Sequence, residues 1–215
     1  MLALRLSPTG RRSLQTDIDI FAAGDSTRAG PSAAGVVEAL PTRENSATND
    51  KLMALLTSQL GKPQTEYHTA ALSKGSWTTL EHEPTPTSED SARVRSATLA
   101  SGAKAMLLST KPNDEVVLAV ISAAVKMDSK AFKKVGGFKS TKFASEQEVW
   151  NVTGCVPGAV PPFGSCFGVR TFVDQSLLDQ GAEINFNAGL KTFSVRMMTQ
   201  DYLDIEQPSV CSFRG

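Results

Sequence analysis

The chain predicts an α+β fold with a mostly antiparallel sheet, and three observations carry that expectation. Short strand-forming runs are interrupted by helical patterns without strict β-α alternation, which argues against a doubly wound parallel sheet. Two apolar runs, 103–109 and 115–123, flank Lys111-Pro-Asn-Asp, a hairpin turn between buried strands. Near the C-terminus, Ile184/Phe186 and Phe193/Val195/Met197 alternate with other residues at period two, the spacing of strands.

The elements follow in order. Residues 22–50 are rich in Ala, Gly, Ser and Thr, carry Pro31 and Pro41, and show no sustained periodicity. Residues 1–48 are therefore expected to form a flexible N-terminal extension and residues 49–215 the folded domain. Leu52, Leu55, Leu56 and Leu60 recur at helical spacing until Gly61 and Pro63 end the pattern. A strand is expected over 77–83. After Pro84-Thr-Pro-Thr, Thr87 or Ser88 caps a helix running to about residue 100, with acids in its first turn. Helices are expected over 129–135 and 145–152, and Ser145 with Glu148 forms a capping box. Strands over 170–174, 183–187 and 193–197 precede a closing turn or helix at 201–205.

Between these elements lies Gly154-Cys-Val-Pro-Gly-Ala-Val-Pro-Pro-Phe-Gly164, with three glycines and three prolines in eleven residues. Proline fixes φ and removes a donor, while glycine permits positive φ and close approach of a ligand to the main chain. Such a loop is too stiff for a linker and too open for core. It reads as a backbone cradle whose peptide groups do the recognition.

The Gly-x-x-x-Pro spacing of Gly158 and Pro162 resembles the loop that lies over the active site in the YbaK / prolyl-tRNA-synthetase-associated editing domains. Other stretches are similar to that family in the same order: Glu81-His-Glu-Pro84, Thr87 to Arg95, Gly102 to Leu108, Phe143-Ala-Ser-Glu-Gln-Glu, Phe172-Val-Asp-Gln-Ser, Ile184 to Gly189 and Ser194-Val-Arg-Met. Together they span roughly residues 50–207. The resemblance implies a mixed, barrel-like sheet flanked by helices and hydrolysis of the ester of mischarged aminoacyl-tRNA. It implies tRNA(Pro) carrying alanine or cysteine as the default substrate, with serine or threonine on a tRNA as the other case. It also implies a prolyl-tRNA synthetase as partner, fused in cis or acting in trans.

Bulk properties fit this function and exclude others. The 215 residues suffice for one domain plus an extension, and formal net charge is zero. Any tRNA contact must therefore come from a local patch. Lys126, Lys130, Lys133, Lys134, Lys139 and Lys142, opposed only by Asp128, form such a patch, or else simply a solvated face. Cys155, Cys166 and Cys211 are an odd count without a CxxC pair, which fits a reducing compartment and cytoplasmic location. Arg5, Arg11 and Arg12 before the first acid at Asp17 match either an organellar leader or a disordered extension, and composition favours the extension. No apolar run has the length of a membrane span, so no membrane partner is expected. Two histidines and three scattered cysteines make no zinc pattern, and no cofactor is expected.

Candidate residues follow from the resemblance, each beside a plainer reading. Lys104 sits in an apolar strand where its charge needs a partner, unless it snorkels near the strand end. The family places its functional lysine at this position, to meet the ester. Gly158 and Pro162 make a turn, and by resemblance their backbone also holds the attacking water or the oxyanion. In the family's substrate-assisted solution, a terminal ribose hydroxyl of the tRNA helps activate that water. Asn187 and Gly189 line the amino-acid pocket by resemblance, or form an exposed turn. Asp174 orients a pocket group or ends its strand, and His82 is pocket wall, substrate contact or structural. Cys155 and Cys166 read as small buried residues rather than nucleophiles. The alternative to an enzyme is a tRNA-docking module that kept the fold without the activity.

Overall fold

The computed structural model describes residues 46–215, so most of the expected extension, including Arg5, Arg11 and Arg12, lies outside the described residues. Helix α1 (Ala47–Leu60) buries Leu52 and Leu56 one turn apart, and Gly61 ends it at a φ of 80°. Strand β1 (Trp77–Glu81) stops short of residue 83. Helix α2 (Ser88–Val94) starts at the expected cap, Thr87, whose hydroxyl accepts the Asp90 amide. It ends well before residue 100, because Ser96 takes a left-handed conformation (φ 50°) that no continuing helix allows.

Strands β2 (Ala103–Lys111) and β3 (Glu115–Ser122) form the expected hairpin, paired from Ala103 with Ser122 to Thr110 with Glu115. Helix α3 (Ser129–Val135) is capped by Asp128, whose carboxylate accepts the Lys130 amide. Strand β4 (Ser140–Phe143) is a short edge strand on β2 that period-two patterning misses, since it is polar except for its last residue. Helix α4 (Glu146–Thr153) carries the complete capping box. Then follow β5 (Arg170–Asp174), the single-turn α5 (Gln175–Leu178), β6 (Glu183–Asn187), β7 (Phe193–Met198), α6 (Thr199–Glu206) and β8 (Ser209–Cys211). The last strand was not expected.

The strands make two sheets rather than a closed barrel: β1-β7-β6, and β4-β2-β3-β5-β8. All pairings are antiparallel except β3–β5 and β5–β8, so the α+β, mostly antiparallel class holds. Strand β3 is buried on both faces, which explains its unbroken apolar run. Leu118 and Val120 join the main core with Trp77, Val195, Phe186 and Tyr202, while Val117, Ala119 and Ile121 face Phe132, Phe172 and Phe213. Phe132 meets Phe172 and Phe213 edge-on, at 5.4 and 5.0 Å between centroids. These contacts pin α3 and the C-terminus to the outer face of the larger sheet.

Candidate active site

The proline-glycine loop leaves α4 through Gly154, in the left-handed conformation, and rises to an exposed tip at Pro157-Gly158. Gly158 has a φ of 90°, which only glycine adopts readily. From Ala159 to Gly164 the chain is buried. The loop is thus a finger with an exposed tip and an anchored base.

The tip overhangs a cavity of about 580 Å³. Its walls come from the N-terminal approach and C-terminal end of α2 (Thr85, Ser91, Arg95), the start of β2 (Lys104) and the end of β6 (Asn187). Phe143, half exposed at the end of β4, stands at the rim. Three expected site residues (Lys104, Gly158 and Asn187) therefore meet around one space. Lys104 is exposed and takes part in no ion pair among the described residues.

Behind the wall runs a hydrogen-bond network. The antiparallel register places Asn187 opposite Ser194. Arg95 lies across both: its Nε donates to Ser194 Oγ at 2.9 Å and its Nη2 to Asn187 Oδ1. Asn187 Nδ2 then donates to the Gly158 carbonyl at 2.8 Å. His82 Nδ1 lies 2.8 Å from the Glu83 carbonyl, which can only accept, so Nδ1 carries the proton. In the neutral ring Nε2 is then the acceptor for the Ser194 hydroxyl, 2.7 Å away. Burial pulls the Arg95 guanidinium below its ordinary range, partly offset by Tyr67, yet a guanidinium still stays charged.

Other expected site residues fall outside the lining. His82 is a support behind the wall, held through Ser194. Pro162 is buried at the loop's base, where its carbonyl accepts the Tyr202 hydroxyl at 3.0 Å. Gly189 packs on α1: a Cβ there would lie 2.8 Å from the Asn49 amide nitrogen, and its own N–H donates to the Ala159 carbonyl. Asp174 is wholly buried away from the cavity. Its carboxylate caps α5 through the Ser176 amide and accepts the Phe213 amide, tying β5 to the C-terminus. Asp174 is the last residue of β5.

Lys130, Lys133 and Lys134 are exposed on α3, with Lys126 and Lys139 exposed at its flanks. Helix α3 packs against β4, whose last residue reaches the cavity rim. Cys155 and Cys166 are buried, and burial with the nearby Glu206 pushes the Cys166 thiol up to about 11. Neither has the character of a nucleophile.

Sequence reasoning missed Arg95. It reads like Arg93 in Ala-Arg-Val-Arg, yet Arg93 points to solvent and pairs with Asp90, whereas Arg95 is 6% exposed. No spacing distinguishes them without the end of α2.

Residues 82–205 match the family described as the aminoacyl-tRNA editing domain. The chain is 34% identical over 174 residues to the multifunctional Ser/Thr-tRNA deacylase ProXp-y of Escherichia coli K12, covering 80% of this chain and 95% of that protein. The same figures hold for the Escherichia coli O157:H7 protein. Among solved structures, a candidate trans-editing enzyme for prolyl tRNA synthetase superposes with a TM-score of 0.65 at 18% identity, over 80% of this chain and 99% of that one. A scaffold protein used in computational epitope grafting gives the same values. The fold, the sequence match and the cavity agree: the chain belongs to the aminoacyl-tRNA editing domain family, the YbaK / prolyl-tRNA-synthetase-associated group, and is an aminoacyl-tRNA deacylase.

Proposed function

We propose that the chain clears serine or threonine from mischarged tRNA, with Lys104, the Gly158 loop and Asn187 as its working groups. The observation that carries this reading is their convergence on one cavity beneath the Gly-x-x-x-Pro loop. The Ser/Thr assignment rests on the 34%-identical relative and on the polar inner wall of Thr85, Ser91, Arg95 and Asn187. A site built to hydrogen-bond a hydroxyl rejects analogues that lack it more strongly than an apolar pocket could.

In the reaction, water adds to the ester carbonyl, whose π electrons move onto oxygen. The tetrahedral intermediate collapses and expels the ribose oxygen, which takes a proton as the free amino acid leaves. Lys104 stabilises the oxyanion, and the Gly158 backbone orients the ester and water. The terminal ribose hydroxyl relays the proton, which suits a cavity without a lining histidine. Lys126, Lys130, Lys133, Lys134 and Lys139 hold the acceptor-stem phosphates. The protein works in the cytoplasm, with a prolyl-tRNA synthetase as its partner in cis or in trans.

The test is deacylation of tRNAs charged with Ala, Cys, Ser, Thr or Pro, by wild type and Lys104→Ala. Selective loss of Ser or Thr, abolished in the variant, is the expected result. Selective loss of Ala or Cys from tRNA(Pro) would overturn the substrate assignment. No acceleration of any species would leave a tRNA-docking module in its place.

A further inference from the structure

Arg95 is a buried cation without a buried anion. Its guanidinium is 6% exposed and borders the cavity, yet none of the ion pairs among the described residues includes it. Removing a charge from water costs several kcal/mol unless strong partners replace the lost hydration. Here the partners are two neutral oxygens, Ser194 Oγ and Asn187 Oδ1. A guanidinium carries five N–H donors, and the acceptors that meet Arg95 are these uncharged side chains rather than a carboxylate. A salt-bridged or apolar residue would hold the fold more cheaply, so the arrangement serves something other than stability.

The bonds indicate what it serves. The Asn187 amide can point either way, and only one orientation gives Gly158 a donor. A guanidinium can only donate, so Arg95 forces Oδ1 toward itself and Nδ2 toward the Gly158 carbonyl. The Nε bond to Ser194 fixes the fork's second prong, and His82 braces Ser194 from behind. Three chain segments far apart in sequence are thereby locked to the tip of the cradle.

We propose that Arg95 is the positioning residue of the active site, setting the height and orientation of the Gly158 loop over the ester through the Asn187 amide. This rests on the deacylase reading above. Because Arg95 acts on loop geometry, its removal lowers kcat more than it raises KM. A misplacement of about 1 Å costs on the order of 10²-fold in rate. A lysine does not substitute, since one ammonium cannot reach both oxygens with the fixed fork of a guanidinium.

The experiment measures kcat and KM for wild type, Arg95→Ala, Arg95→Lys and Asn187→Asp on the aminoacyl-tRNA that wild type hydrolyses best, with thermal melts alongside. Expected are a kcat loss of about 100-fold in Arg95→Ala and Arg95→Lys, and partial recovery of Arg95→Ala by millimolar guanidinium but not by tetramethylammonium. Asn187→Asp keeps the oxygen facing Arg95 and removes the donor to Gly158. It should melt no lower than wild type yet lose kcat to a similar degree. Full activity in Arg95→Lys, or a stable and fully active Asn187→Asp, would overturn the proposal. An inactive wild type would instead overturn the deacylase reading itself.

Discussion

Gly158→Ala tests the cradle with one methyl group. At a φ of 90° an L-residue is strained, and the left-handed region costs a non-glycine about 1–2 kcal/mol. Steric crowding adds little, because a Cβ there would meet only Lys191 Cε, at 3.6 Å, an ordinary contact. The whole effect is therefore backbone strain at the tip. If the backbone holds, the cost appears in stability, and a domain of this size loses about 2–4 °C per kcal/mol. That is a fall of about 2–8 °C, the upper end being two kcal/mol at the steeper slope. If the tip relaxes instead, the melting temperature barely moves, but the Gly158 carbonyl leaves Asn187 and the loop loses its register over the cavity. The tip is exposed and the base anchored, so relaxation is the expected route, with deacylation falling at least about tenfold. Melting curves and single-turnover deacylation on the same preparation separate the two. A variant with wild-type melting temperature and wild-type rate would refute the claim that this φ and this carbonyl matter.

Four further outcomes follow from the same geometry. Gly189→Ala combines a φ of 90° with a backbone contact at 2.8 Å, so it should destabilise more than Gly158→Ala in a thermal melt, through α1 rather than the loop. Asp174→Ala should cost about 2–5 kcal/mol in denaturant titration, since it strands the buried Ser176 and Phe213 amides, while leaving kcat of the folded fraction unchanged. Replacing Lys130, Lys133 and Lys134 with Glu should raise KM, spare kcat and flatten the salt dependence of deacylation. Arg170 holds the Glu115 carboxyl below its ordinary range through two hydrogen bonds. A lowered folded pKa gives stability present above the unfolded value and lost as pH falls through the folded one. In denaturant titrations across pH, Arg170→Ala should therefore lose stability above the unfolded carboxylate value, by no more than about 1 kcal/mol because the pair is exposed, and the difference from wild type should close as pH falls through the folded value.

The sequence alone determined the elements whose causes are local. The capping box of α4 needs only Ser145 and Glu148, and the β2–β3 hairpin needs two apolar runs and a turn. Such preferences act within a few residues, so they survive without tertiary context. The Gly-x-x-x-Pro loop was legible for the same reason, and the ordered series of motifs pointed to Lys104, which the structure places on the cavity wall. Strands β4 and β8 were not, because such short edge strands form only where a neighbour offers its edge. Pro162, Gly189 and Asp174, singled out by the same motifs, lie outside the cavity lining and make their contacts at the loop base, on α1 and at the C-terminus. The site's inner wiring lay beyond sequence altogether. Arg95 meets Ser194 only because Ser96 ends α2, and β6–β7 register sets Asn187 opposite Ser194. Shifting that register by one residue would turn Asn187 to the other face of the sheet. Local propensity writes the elements, whereas convergence of distant side chains depends on how those elements pack, and packing set the candidate site.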